Sequence, residues 1–183
     1  TAAVDVDNPL YGAQGAAHIF APQKGVLPEM VERLDRALRH YAEVVDADAA
    51  EVAGSGAAGG MGYALHTMLG ARMRPGIEIV LALLNFERRA QGASLVVTGE
   101  GSIDAQTLHG KAPAGVLAQA QRLGIPVVAL GGRVECESAL LAGGFHAVYA
   151  ITPHNQPTDV AMQCEVATKN MECAARHLAR KLK

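Results

Sequence analysis

Leu95-Val96-Val97-Thr98-Gly99-Glu100-Gly101-Ser102-Ile103-Asp104-Ala105-Gln106-Thr107-Leu108-His109-Gly110-Lys111-Ala112-Pro113 decides the reading of this 183-residue chain. Residues 94–98 include a short β-branched apolar run that stops at a glycine, which reads as a buried strand of a parallel sheet. A polar loop, 99–111, then follows at the strand's carboxyl end, where open α/β sheets bind ligands. It carries Glu100, Ser102, Asp104, Thr107, His109 and Lys111. Pro113 suits the first turn of a helix, where a missing N–H costs nothing. The Ala-rich segment 114–123 sets Val116, Leu117 and Ala120 along one side. The N-terminus of that helix faces the loop and would welcome an anion.

Outward from this stretch the pattern alternates. A strand at 126–130, a helix at 138–141, a strand at 148–152 and a last amphipathic helix from 159 to 182 complete a β-α-β-α-β-α series. The last helix is expected to bury the stripe Val160, Cys164, Ala167, Met171, Ala174, Leu178 and Leu182. Right-handed crossovers then imply a parallel, doubly wound sheet. Gly131-Gly132-Arg133 and Thr152-Pro153-His154 end their strands on the same crevice as the 99–111 loop. Upstream, apolar residues recur at helical steps from Pro28 to Val45, with Arg33, Arg36 and Arg39 on the wet face. Pro75-Gly76 opens another helical pattern that runs to about Gln91. Residues 4–25 read as a turn-rich loop followed by a short strand. The charged stretch 86–92 marks a boundary, giving lobes at 1–90 and 91–183. The fold class is therefore α/β with two lobes.

The chemistry concentrates in the 99–111 loop. Phosphoryl transfer needs a cation on the transferring oxygens, a carboxylate to place magnesium or accept a hydroxyl proton, and backbone N–H groups around the phosphates. Asp104 is the candidate magnesium ligand or general base, against a plain role in capping the turn. Glu100 is the second carboxylate, and Lys111 the phosphate-binding cation. Lys111 beside Gly110 does not make a Walker loop, because positions 105 and 112 are alanine where Gly and Ser or Thr are required. Nor does 99–103 give G-x-S-x-G. In the first lobe, Asp7 and Asn8 are either turn residues or substrate contacts, and Lys24 is either solvated or phosphate-binding. Gly54 to Gly62 matches G-x-G-x-x-G without a preceding strand, so a dinucleotide turn is not expected. The small residues Gly56, Gly59 and Gly60 would still let backbone approach a ligand, with packing as the plain alternative.

A formal charge of −2 argues against a nucleic-acid or anionic-membrane partner. No apolar run approaches the ~20 residues that span a bilayer, so a soluble, cytoplasmic protein is expected. Cys136, Cys164 and Cys173 lack metal-ligand spacing and are expected to be buried or idle thiols.

The segment 99–113, Gly-Glu-Gly-Ser-Ile-Asp-Ala-Gln-Thr-Leu-His-Gly-Lys-Ala-Pro, closely resembles the signature of the bacterial glycerate kinase family. Asp5-Val6-Asp7-Asn8-Pro9-Leu10 with Gly12, Ala21-Pro22-Gln23-Lys24-Gly25, and Gly54 to Gly62 resemble three further family blocks in the same order. The resemblance implies transfer of the ATP γ-phosphoryl group to D-glycerate with Mg2+, giving 2-phosphoglycerate, although the residues alone leave the 2- or 3-hydroxyl open. It implies a flavodoxin-like lobe at 91–183, missing its N-terminal strands, and a second α/β, restriction-endonuclease-like lobe at 1–90. It implies catalytic roles for Asp104, Glu100 and Lys111, with Asp104 as metal ligand. Substrate or nucleotide contacts would come from Asp7, Asn8, Lys24, Gly56, Gly59, Gly60, Ser102, Thr107 and His109. Because the family's N-terminal portion is not in this sequence, residues 1–183 alone are expected to be inactive. A non-catalytic anion-binding or regulatory domain is the alternative. Assembly into a homo-oligomer stays open.

Overall fold

The computed structural model describes residues 1–108 and 110–181; the candidate His109 and the stripe residue Leu182 lie outside them. The chain is α/β with two parallel sheets and divides into two compact units, Thr1–Val80 and Leu81–Lys183. The division falls ahead of position 90.

In the first unit, β1 (Ala2–Ala3) and α1 (Ala16–Phe20) precede α2 (Pro28–Val45), α3 (Met61–Leu69) and β2 (Met73–Arg74). β1 pairs in parallel with β2, Ala2 opposite Met73 and Ala3 opposite Arg74. α2 keeps its expected bounds, with Pro28 at its first turn. Its buried face is narrower than the apolar stripe: Val31, Asp35 and Ala42 are buried, while Met30, Leu34, Val44 and Val45 are exposed. Leu10, Ala42, Ala49, Ala50 and Tyr63 form the core. The buried Tyr63 hydroxyl donates to the Asp46 carbonyl at 2.8 Å and accepts from the Asp46 N–H at 3.0 Å, so its polar tip is satisfied. The short strand expected in 17–22 is instead the helix α1. Ala16 and Ala17 are buried and α1 lies against α2, so tertiary contact overrides the local strand reading.

The helical pattern that begins at Pro75 is split into α4 (Gly76–Leu83) and α5 (Phe86–Ala90). Asn85, with φ 51°, takes the left-handed conformation that asparagine tolerates, and this ends the first helix. The strands of the second unit are β3 (Val96–Ile103), β4 (Val127–Val134) and β5 (Ala147–Ala150). They form one parallel sheet in the order β3-β4-β5. Helix α6 (Ala112–Arg122) links β3 to β4, and α7 (Glu137–Ala142) links β4 to β5. Ile103, Leu117, Ala120, Val127, Ala129, Leu140 and Phe145 belong to its core, with Ala90 among the buried residues and Phe86 packed against them, so 86–90 is part of this unit. Val127, Val128 and Ala129 are all buried, as a strand covered on both faces requires.

β3 and β4 run well past their expected ends. Glu100 and Ser102 therefore lie on a strand and not in a loop, and so do Gly131, Gly132 and Arg133. Glycine permits the extension. A Cβ on Gly99 would stand 2.3 Å from the Leu130 carbonyl oxygen, and one on Gly132 2.5 Å from that of Gly101. The final helix is also two: α8 (Thr158–Ala161) and α9 (Cys164–Lys181). Within its expected stripe Leu178 is buried, whereas Met171 and Cys164 are exposed. Cys136, Cys164 and Cys173 are exposed free thiols, so of the expected buried or idle thiols the buried alternative falls away. Among the described residues no helix is long and apolar enough to cross a membrane.

α1 and α2 are joined by charge. His18 Nε2 lies 3.2 Å from Glu32 Oε1 and Nδ1 3.5 Å from the buried Asp35 Oδ1, which also accepts the Gly12 N–H at 2.7 Å. The hydrogen bond with Glu32 holds the His18 pKa above 6.5, partial burial opposes it, and the Asp35 charge adds to the rise. A raised folded pKa gives stability that is complete below 6.5 and is lost as pH climbs through the folded value. Thermal melts are therefore expected to fall as pH rises across that window, and His18→Gln is expected to flatten this slope. An equally steep slope in the variant would show that another group titrates.

Candidate active site

Glu100 and Asp104 meet at the buried hydroxyl of Thr107, with Lys111 beside both carboxylates. β3 delivers Glu100, and the chain leaves the strand at Ile103 into a 3-10 turn, Ala105–Leu108. Asp104 closes this turn: its Oδ1 accepts the Gln106 N–H at 2.8 Å and the Thr107 N–H at 3.2 Å. Aspartate forms such turns because its short side chain reaches the backbone two and three residues on. Thr107 Oγ1 accepts the Asp104 N–H at 3.1 Å and donates to Glu100 Oε1 at 2.5 Å. Lys111 is the N-cap residue of α6, and its ammonium lies 3.5 Å from Asp104 Oδ1 and 3.7 Å from Glu100 Oε1. Both distances exceed the 2.7–2.9 Å range of tight charge-assisted hydrogen bonds, so the lysine is held loosely.

Two carboxylates against one ammonium leave the cluster net negative beside the helix N-terminus. Glu100, Asp104 and Lys111 are each partly exposed, so all three remain accessible. Among the described contacts, the second oxygens of Glu100 and Asp104 take no hydrogen bond or ion pair. Mg2+ is typically held by one or two carboxylates, with water and phosphate oxygens completing its shell. The donor set fits that ion. It does not fit a closed protein cage, since no group of three or more His, Cys, Asp or Glu is placed to hold a metal among the described residues.

Ser102 is exposed on β3 and pairs in register with Arg133 on β4. Arg133 itself donates to the Thr158 hydroxyl at the start of α8, a link that sequence spacing did not reveal. Beyond β5 opens a cavity of about 290 Å³, lined by Tyr149, Thr152, Pro153, Asn170, Cys173 and His177. Tyr149 and His177 meet edge to face there, 5.8 Å between ring centroids. His177 and Asn170 went unnoticed because they fall on the polar side of a helical stripe.

In the first unit, Asn8 donates to the Gln14 carbonyl at 2.8 Å, and its own carbonyl accepts the Gly56 N–H at 2.9 Å, so these two candidates are adjacent. Asp7 is exposed, and Lys24 ends an exposed 3-10 turn, Pro22–Lys24. The glycines have reasons of their own. A Cβ on Gly56 would lie 2.3 Å from the Pro9 carbonyl oxygen, and Gly60, with φ 102°, forms the left-handed N-cap of α3. Gly59 is exposed with open space around it, but its φ of 76° disfavours any side chain.

The chain as a whole is similar to known proteins. A sequence model described as the Glycerate kinase family matches residues 1–183. The chain is 45% identical to a glycerate kinase of Bacillus cereus, covering 97% of this chain and 48% of that protein. It is 42% identical to the glycerate 2-kinase of Escherichia coli K12, covering 97% and 47%. A crystal structure from Salmonella typhimurium LT2, whose name places it with the glycerate kinases, superposes with a TM-score of 0.75 at 44% identity, covering 98% of this chain and 47% of that one. The chain spans about half the length of the curated relatives it matches.

The geometry makes Gly56 a test of the 8–12 turn. Gly56→Ala drives a methyl group into the Pro9 carbonyl and is expected to cost roughly 1–3 kcal/mol, the range for overpacking. Urea unfolding measures this, and an unchanged midpoint would show that the turn gives way freely.

Proposed function

This chain belongs to the glycerate kinase family, and from that premise we propose that, within the complete protein, it carries part of a site that transfers the ATP γ-phosphoryl group to D-glycerate and releases 2-phosphoglycerate. The observation that carries the reading is the convergence of Glu100, Asp104 and Lys111 on one turn at the N-terminus of α6. Lys111, loosely held and partly exposed, can leave the carboxylates for a phosphate oxygen. The first N–H groups of α6 add positive potential there. Asp104 uses one carboxylate oxygen to close its own turn and keeps the other for a substrate hydroxyl proton or a metal. Glu100 stands beside it with one oxygen committed to Thr107. Mg2+, when bound, neutralises charge on the phosphate oxygens, and Asp104, with Glu100 next to it, would hold it.

Further contacts to substrate or nucleotide are assigned to Ser102 and His109 in the second unit, and to Asp7, Asn8, Lys24, Gly56, Gly59 and Gly60 in the first. We read Leu81–Lys183 as part of a flavodoxin-like lobe, supported by three parallel strands joined through helices. Thr1–Val80 is read as part of a restriction-endonuclease-like lobe. Residues 1–183 alone are read as inactive, in keeping with their coverage of about half of each relative.

Asp104→Asn separates chemistry from folding, because the asparagine carbonyl still accepts the Gln106 and Thr107 N–H groups. In the complete protein, ADP release with D-glycerate is expected to fall by about 10²-fold or more at an unchanged melting temperature, the scale of a lost acid–base or metal-positioning group. Phosphorus NMR identifies the product as the 2- or 3-phosphate. Turnover within a few-fold of wild type would reduce Asp104 to a turn residue. Complete protein that binds ATP or glycerate without making ADP would point to a ligand-binding role.

A further inference from the structure

We infer that Thr107 is the positioning residue of this site: its buried hydroxyl sets the orientation of Glu100 and locks the turn that presents Asp104. The inference rests on the reading of Glu100 and Asp104 as reacting groups. Thr107 is 0% exposed, so it cannot touch a substrate, which replaces the binding role expected from its place in the motif.

Both of its donors have acceptors within the site. The backbone N–H of Thr107 points to Asp104, lying 3.0 Å from its carbonyl and 3.2 Å from its Oδ1. Oγ1 receives the Asp104 N–H at 3.1 Å, which engages a lone pair and leaves the single hydroxyl proton for another acceptor. Glu100 Oε1, at 2.5 Å, is that acceptor. This is the shortest contact Glu100 makes, since Lys111 stands 3.7 Å away. A glutamate on a strand end has several rotamers open to it, and the threonine proton selects one of them, turning one oxygen inward and leaving the other for chemistry. Leu108, packed against the core of the unit, anchors the turn from its far side. Strand and turn therefore meet at one hydroxyl, and the cap lysine of α6 lies against the two carboxylates that this hydroxyl orders.

A positioning role predicts a particular pattern of loss. In the complete protein, Thr107→Val keeps the volume and removes the hydroxyl. It is expected to lower kcat by about 10-fold or more, since misplacing a reacting group by ~1 Å can cost 10²-fold. KM for ATP and for D-glycerate should stay within about twofold, because Thr107 meets neither ligand. Thr107→Ser, which keeps the hydroxyl, should restore most of kcat. The decisive measurement is the cycle with Glu100→Gln. If Thr107 acts through Glu100, adding Thr107→Val to Glu100→Gln should cost far less than it does in wild type. Equal losses in both backgrounds would overturn the inference, as would wild-type kcat in folded Thr107→Val beside an impaired Glu100→Gln. If Glu100→Gln itself retains turnover, the catalytic reading of Glu100 fails and takes this inference with it. Should Thr107→Val not fold, Thr107→Ala carries the same cycle, and a folded Thr107→Ser with kcat no better than that of Thr107→Ala would overturn the assignment.

Discussion

The close approach of β3 and β4 is the constraint on which the site depends. A Cβ on Gly99 would strike the Leu130 carbonyl, and one on Gly132 that of Gly101. The two strands can therefore stay paired to their ends, with Ser102 opposite Arg133 and Ile103 opposite Val134. β5 accompanies β4 only from Val128 to Gly131, so the outer parts of β3 and β4 are a two-stranded extension of a three-stranded sheet. Glu100, opposite Gly131, sits at the last three-stranded register, and Ile103, fully buried, pins the end of the extension beyond it. Asp104 can then start a turn from a fixed point. A side chain at Gly99 or Gly132 would press on the opposing backbone, separate the strands and misplace both carboxylates together.

The first unit solves a similar problem with similar means. Its stretch Asn8–Gly12 is held from one side by the Gly56 N–H on the Asn8 carbonyl and from the other by Asp35 on the Gly12 N–H. A buried carboxylate without a partner would be costly. Asp35 has two, the backbone of Gly12 and the ring of His18. The small residues around Gly54–Gly62 thus serve packing first, because Gly54, Gly56 and Gly62 would each meet another atom within 3 Å if they carried a Cβ. The segment is shaped by backbone contact, and this is what its resemblance to a dinucleotide turn reflects.

Much of this was legible in the residues, and the failures have physical causes. The helix Pro28–Val45 and the β-α-β-α-β succession followed from periodicity and from proline at helix starts. The strand ends did not, because Gly-Glu-Gly-Ser and Gly-Gly-Arg have low strand propensity, and their pairing depends on a close backbone approach at Gly99 and Gly132 that only the partner strand reveals. Helix α1 was hidden for the opposite reason: two alanines say little locally and much once buried against α2. At the site, Glu100, Asp104 and Lys111 were identified by type and place, and the structure brings them together. Thr107 was identified with the wrong surroundings, since nothing in the residue pattern shows that a threonine in a polar stretch lies buried.

On the proposed function, the arrangement offers a lysine next to a glycine to phosphate without a Walker loop. In such a loop, consecutive backbone N–H groups form the cradle, and the lysine follows on the helix. Here the turn before the helix is closed by a side chain: Asp104 Oδ1 takes two of the N–H groups that a cradle would have turned outward. The negative charge that closes the turn then needs compensation, and Lys111 supplies it from the cap of α6 at a distance too long for a tight bond. The carboxylate that builds the turn is thus also the resting partner of the cation. On the proposed function, an anion that drew Lys111 away would leave Asp104 and Glu100 without an ammonium between them, and the uncompensated charge would favour a divalent cation as the anionic ligand arrives.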